Sequence, residues 1–296
     1  HGGFKYETWV AQGAYHTDEG EGQRDGDPES TFRLRPGVAL YGGFAGTEDT
    51  RGERDWTTHV TVLSGDVDGN DATDADGVVR DPADTEGRNA YHVVTGDGLT
   101  ERSVLDGFTV TAGRADEEPP HMKGGGMLNQ HGSPTLANLT FIANQAELGA
   151  GMYNAWSSDP TLTHVTFNAN QAAEAGGGMH NAWFSNPTLA DVTFVSNQAW
   201  SGGGMHNDVS QATLINVTFS GNDATSGGGV YNFSGSSPTL TNVIFSGNDA
   251  SSGGGMGNIY SSNPTLINVT FSGNDAVEGG GMHNSHESDP TLVNTI

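Results

Sequence analysis

The sequence predicts an all-β protein, a parallel β-helix in which a unit of about 26 residues repeats along one axis. Three observations carry this. Phe141, Phe167, Phe194, Phe219, Phe245 and Phe271 recur at steps of 26, 27, 25, 26 and 26 residues. Glycine accounts for 45 of 296 residues while hydrophobic residues make up only 33%, so the core must be thin and very regular. No window combines helix formers with a helical period, and the apolar residues are β-formers in short runs between Gly, Asn and Ser.

Each unit reads S-P-T-L-x-N-V-T-F-S-G-N-x-A-x-x-G-G-G-M-x-N. It begins with a leucine column, Leu136, Leu162, Leu189, Leu214, Leu240, Leu266 and Leu292, with Pro two residues earlier in every unit but one. The phenylalanines come next, each followed three residues later by Asn: Asn144, Asn170, Asn197, Asn222, Asn248 and Asn274. A glycine triplet then leads to Met127, Met152, Met179, Met205, Val230, Met256 and Met282, with a further Asn two residues on. Three short strands per unit suit one rung of a solenoid, with rungs stacked at the strand spacing of about 4.8 Å. Leu, Val, Phe and Met then stack inward, one above another. Asn at the turns accepts a left-handed backbone and bonds its counterpart in the next rung. The glycines allow a close or left-handed backbone before the Met strand.

The F-x-x-N tetrads from Phe141 to Asn274 and the G-G-G-[MV] runs resemble the paired repeats of chlamydial polymorphic outer-membrane proteins and related bacterial surface β-helix proteins. Upstream, "GVALYGGFAGTE", "RDW", "VTVLSGDVDGN" and "YHVVTGDG…VLDGFTVTAG" look like the opening rungs of such proteins, and "WVAQGAY" (Trp9–Tyr15) like the first. The resemblance implies a right-handed β-helix of about nine rungs and an extracellular or cell-surface location. It supplies no catalytic residue. Residues 1–123 then form opening rungs with long acidic loops, and 124–296 the regular rungs of the same solenoid. The expected helical cap is not in the sequence, and "PTLVNTI" stops inside a rung, so the natural chain is expected to continue past Ile296. The chain starts at His1, without Met, and is expected to be a trimmed piece.

Charge narrows the partners. The formal net charge is −25, from 11 basic and 36 acidic residues. That disfavours nucleic acid, which needs a basic footprint, and anionic lipid. No apolar run is long enough to insert in a membrane. There is no Cys, hence neither a disulfide nor a thiolate metal site, and no organic cofactor is expected. All Lys and Arg lie between Lys5 and Lys123.

Three groups of residues bear on chemistry. "SGDVDGNDATDADG" supplies Asp66, Asp68, Asn70, Asp71, Asp74 and Asp76, oxygen ligands of the kind a Ca²⁺ ion takes. The spacing is not that of an EF-hand, since Asp71 stands where the loop glycine belongs. A solvated acidic loop is the plainer reading.

The second group answers to the motif "GGGMHN", written three times. Met points inward, so the next residue points out. That slot reads Leu128, Tyr153, His180, His206, Tyr231, Gly257 and His283. A zinc site needs three or four convergent ligands, and residues stacked on a flat sheet converge poorly. An aromatic strip of Tyr153, Trp156, His180, Trp183, Phe184, His206 and Tyr231 suits stacking on sugar rings. It also fits ordinary outward positions of a sheet. The expected function is a non-catalytic secreted or surface passenger that binds a neutral glycan or a surface protein; a purely structural stalk is a further reading.

The third group concerns catalysis, because many β-helices cleave polysaccharides. Pectate-lyase-type elimination needs a basic residue and a partner for the uronate, and no Lys or Arg follows Lys123. A glycoside hydrolase needs two carboxylates about 5 Å or 6.5–9.5 Å apart. Glu147 and Glu174 each stand five residues before a Met of the column and are expected to stack one rung apart. Asp223, Asp249 and Asp275 form another acidic column, read as solvated turn carboxylates. Threonine columns such as Thr135, Thr161 and Thr188 raise ice binding, but T-L-T occurs only at Thr161–Thr163 and Thr239–Thr241.

Overall fold

The structure, a computed structural model, describes residues 6–117 and 119–296. Its strands stack in parallel into four long sheets. Sheet I has ten strands, from Tyr6–Ala11 to Thr291–Val293. Sheet II has nine, from Gly13–His16 to Thr270–Ser272, and sheet III nine, from Phe32–Arg33 to Met282–Asn284. Sheet IV has seven, from Arg114–Ala115 to Asp275–Glu278. The helical content of the described residues is two single 3₁₀ turns, Arg51–Glu53 and Pro82–Asp84. The chain is thus a β-solenoid, and "WVAQGAY" lies across the first two described strands, Tyr6–Ala11 and Gly13–His16, with Trp9 stacked on Phe44 at 4.9 Å.

The columns read from the sequence pair in register. Leu136 lies beside Leu162, Phe141 beside Phe167 and Met127 beside Met152, and so on along the axis. These side chains, with Val165, Val192, Val217, Val243 and Val269, form one buried core. The phenylalanine rings stack at 4.8–5.0 Å, almost parallel. A lumen this narrow suffices because each apolar side chain touches its copies above and below as well as its neighbours across.

Two asparagine ladders run beside this core. Nδ2 of Asn144 donates to Oδ1 of Asn170 at 3.0 Å, and the relay continues through Asn197, Asn222 and Asn248 to Asn274. A second relay runs from Asn129 through Asn154, Asn181, Asn207, Asn232 and Asn258 to Asn284. A third column, not among those read from the sequence, is the buried serines Ser158, Ser185, Ser210, Ser236 and Ser262; the hydroxyls of Ser158, Ser185 and Ser236 accept backbone N–H groups from the rung before.

Two expectations need correction. Each regular rung has four strands, not three. The segment read as a turn after each F-x-x-N is sheet IV, whose strands include Gln145–Leu148 and Gln198–Ser201. Its composition is that of a turn, but Ala146, Ala172 and Ala199 alternate inward and are buried, and that alternation is the strand signal. Asparagine's two tasks are also divided. The residue with left-handed φ near the phenylalanine turn is the one before the ladder Asn: Ala143, Ala169, Ser196, then Gly221, Gly247 and Gly273. The left-handed asparagines are Asn138, Asn216, Asn242, Asn268 and Asn294, of the T-L-x-N turn.

The ladder makes a stability prediction. Asn197 Oδ1 accepts from the backbone N–H of Asn170 and from its Nδ2, at 3.1 and 2.9 Å. Asn197→Ala leaves the buried Asn170 N–H without its acceptor and Asn170 Nδ2 with the Phe141 carbonyl alone, so it should lower stability by about 1–3 kcal/mol. The reading is a lower urea midpoint with an unchanged slope; an unshifted midpoint would contradict a buried ladder.

Candidate functional site: an aromatic groove

The glycine triplet shapes the site. Gly176 has φ +68, and a Cβ there would stand 2.5 Å from the Met179 carbonyl oxygen and 2.8 Å from the His180 Cβ. A Cβ on Gly177 would meet the Gln198 and Gly203 carbonyl oxygens at 2.5 Å, and one on Gly178 the Phe194 ring at 2.6 Å. The first glycine turns the chain sharply from sheet IV into sheet III. The second lets neighbouring rungs close up, and the third leaves room for the phenylalanine stack. Repeated over rungs, the turn makes an inside corner between the two sheets.

That corner is a groove of roughly 410 Å³ spanning four rungs. Tyr153, His180, His206 and Tyr231 pair side by side along it. Their rings follow one another at 5.1, 4.6 and 5.2 Å. Trp183, Trp200 and Phe233 complete its aromatic lining, and Lys123 and Asp208 are its charged members. Five of the seven residues picked from the sequence therefore line one groove. Trp156 packs against Trp183 with the rings tilted by 41° and their centres 3.9 Å apart, just outside. Phe184 is the next residue along the turn, 65% exposed.

The outward residues are less exposed than sheet positions usually are. Tyr153, His180 and His206 are buried, at 2%, 6% and 7% exposure, because the corner encloses them. Burial pushes the Tyr153 hydroxyl up to about 12, with the Asp208 charge adding to it. Burial holds His206 down to about 4 although the Ser201 contact favours its charged form, and it holds His180 well below its ordinary value, with His206 and Lys123 adding to that. Both rings are neutral at physiological pH. His206 Nδ1 lies 2.9 Å from Ser201 Oγ, and among the described residues the buried His180 Nδ1 has no hydrogen-bond partner.

The sequence reading passed over Lys123, Leu148, Trp200, Asp208 and Phe233. Asp208 and Phe233 had a signal: they stand three residues after the column Met, on the same face as the residue directly after it. Desolvation raises the Asp208 carboxyl. The smaller Ala155 and Ala182 occupy this column in the preceding rungs. Lys123 joins Leu148 of sheet IV by a bridge, and its Nζ sits 5.1 Å from the Tyr153 ring centre and 5.3 Å from that of Trp183. No carboxylate of the described residues forms a salt bridge with it.

The other groups of residues are placed differently. Glu147 and Glu174 are not stacked in register. Ala146 pairs with Ala172, but Leu148 pairs with Ala175, so Glu147 faces a two-residue bulge, Ala173 and Glu174. In the acidic loop, Asp66 accepts the backbone N–H groups of Gly69, Asn70 and Asp71. Asp68 accepts from Arg88 N, Asp71 from Glu86 N and Asn89 Nδ2, and Asp74 from Asp76 N, Val78 N and Arg80. No group of three or more His, Asp or Glu converges on a common metal position among the described residues. No described helix is long and apolar enough to cross a membrane. Comparison with protein-family models, curated proteins and solved structures gives no match.

Two pH effects of opposite sign follow. The folded pKa of His206 lies below its unfolded value of 6.5. The unfolded chain therefore binds more protons between these values, and stability falls as pH drops from 6.5 through 4. For His206 the loss is up to roughly 3 kcal/mol. A His180→Phe/His206→Phe variant should lose distinctly less over that interval in urea melts, and an equal loss would place these rings in water. Asp71 behaves oppositely. Burial, with Asp66 and Asp68 adding, raises it to about 6 against the hydrogen bonds from Glu86 N and Asn89, so the stability it contributes is present below pH 4 and lost as pH rises through 6. Asp71→Asn should melt higher than the wild type at pH 7.5 and lose that advantage at pH 3.5; an advantage of equal size at both would remove the carboxylate from the explanation.

Proposed function

We propose that the solenoid is a non-catalytic binding module, part of a secreted or cell-surface protein, that holds a neutral glycan in the groove between sheets III and IV. The observation that carries this reading is the company of residues in one groove: Trp183, Trp200, Tyr231 and Phe233 with Lys123 and Asp208, over a floor of buried Tyr153, His180 and His206. Flat rings along a groove present apolar faces to sugar rings, and a few polar groups fix their orientation. Lys123 donates to ligand oxygens and Asp208 accepts from hydroxyls. Over four rungs the groove runs for about three strand spacings, roughly 14 Å, which suits an extended ligand. The net charge of −25 favours a neutral glycan over an anionic one.

The test is a glycan array read with the wild type and with Trp183→Ala, on soluble samples with matched circular dichroism. The wild type should capture neutral glycans, and Trp183→Ala should weaken capture about tenfold or more, the equivalent of 1.4 kcal/mol. A reducing-sugar and unsaturated-uronate assay on the same panel should stay at background. An empty array would sink the binding reading. Turnover abolished by Glu147→Gln or Glu174→Gln would replace it with a hydrolase or lyase.

A further inference from the structure

Across Trp200 from the groove lies a second depression, of roughly 530 Å³, lined by Ala173, Glu174, Ala175, Trp200 and Ser201. Ala175, Trp200 and Ser201 line the groove as well. The two spaces are therefore contiguous, with the indole of Trp200, 66% exposed, as the rim between them. Ser201 ties the two sides together. Its hydroxyl lies 2.9 Å from His206 Nδ1 on the groove floor and donates to the Glu174 carbonyl oxygen, at 3.4 Å, on the far side.

The sequence places an irregularity at this spot. From the ladder asparagine to the column Met there are eight residues at Asn144, Asn197, Asn222, Asn248 and Asn274, but nine at Asn170. The additional residue sits in sheet IV, where the strand Gln171–Ala175 has five residues against four in Gln145–Leu148 and Gln198–Ser201. Register with both neighbours shifts there. Ala172 and Ala175 remain buried while Ala173 and Glu174 are turned out to solvent. A bulge re-aims side chains and is common beside binding sites. Here the chain departs from a 26-residue rule at the rung that forms the groove, and the departure lifts a carboxylate beside the exposed indole.

We infer that this depression is a second sugar subsite, in which Glu174 accepts hydroxyl hydrogen bonds from a unit stacked on the outer side of Trp200. The ligand class follows, resting on the glycan reading above: an oligosaccharide long enough to leave the groove and cross the Trp200 rim, not a mono- or disaccharide held in the groove alone. Glu174 then serves as a binding group, and its pairing with Glu147 has no part in it.

The experiment titrates the wild type, Glu174→Gln, Trp200→Ala, a deletion of Ala173 and Trp183→Ala with neutral cello- and xylo-oligosaccharides, from disaccharide to hexasaccharide. Wild-type affinity should rise about tenfold or more with length and then level off. Glu174→Gln and the Ala173 deletion, which restores the eight-residue spacing of the other rungs, should bind the disaccharide like the wild type and lose most of the gain with length. Trp200→Ala should lose the gain and part of the disaccharide affinity. Trp183→Ala should weaken every length. Binding that depends on Trp183 but shows the same gain with length in Glu174→Gln and in the deletion overturns the second subsite and leaves the groove intact. Wild-type protein that binds no length in either series overturns both. Since Glu174 is solvent-exposed, Glu174→Gln keeps the test readable should the deletion fail to fold.

Discussion

Every rung of this molecule must place its buried polar groups within reach of the same groups in the next rung. That requirement governs the rest of the structure. A side-chain amide in the wall of an apolar lumen loses water on all sides, and it is tolerated only if both its donor and its acceptor are used. An asparagine whose Oδ1 accepts from the rung before and whose Nδ2 donates to the rung after meets this condition only when the two stand in register. A one-residue slip would break the ladder and turn each Leu, Phe and Met outward as well. The phenylalanine stack and the asparagine ladders thus fix the same register independently.

The allowed variation follows from this. Spacing between phenylalanines changes by one residue in either direction, yet the strands of sheets I, II and III stay aligned. Surplus and deficit residues are taken up at turns and in sheet IV, whose inward residues are alanines. A column of alanines is the weakest constraint in the rung, since a bulge there displaces little buried surface. In the 27-residue unit that starts at Phe167, the surplus falls beside the groove and produces Glu174's exposure.

The fold was legible in the sequence because a solenoid makes sequence period and spatial period the same thing. Columns of Leu, Phe, Met and Asn could be read straight off. Sheet IV could not, because Gln-Ala-x-x and Asp-Ala-x-x carry the composition of a turn and a strand signal only one alanine deep. The groove was half legible. Tyr153, His180, His206 and Tyr231 stand out as a column, but a column gives no sign of what covers it. Lys123 lies outside the regular repeat, and Trp200 belongs to the sheet that was not seen, so neither was found. Phe233 and Asp208 follow from strand alternation once the face of Tyr153 is chosen. The acidic loop illustrates the opposite limit: composition put carboxylates close together, but hydrogen bonds to nearby N–H groups decide where they point.

A comparison among rungs within this one chain separates structure from recognition. Inward slots hardly vary: Phe stays Phe, the ladder Asn stays Asn, and the third glycine stays Gly because the phenylalanine ring lies against it. The outward slot after the Met changes from Leu to Tyr, His, His, Tyr, Gly and His, and the residue two before each glycine triplet is Trp only at Trp200. Packing in the lumen cannot demand such differences, since these side chains do not reach it. They are confined to a surface whose backbone is repetitive, so the backbone supplies the corner and the side chains give each rung its own character. Aromatic bulk, Lys123 over the Tyr153 and Trp183 rings, and the desolvated Asp208 coincide in this one groove. A solenoid acting only as a spacer has no physical reason to gather them there, and this is why the groove, not the regular remainder, is where binding is sought.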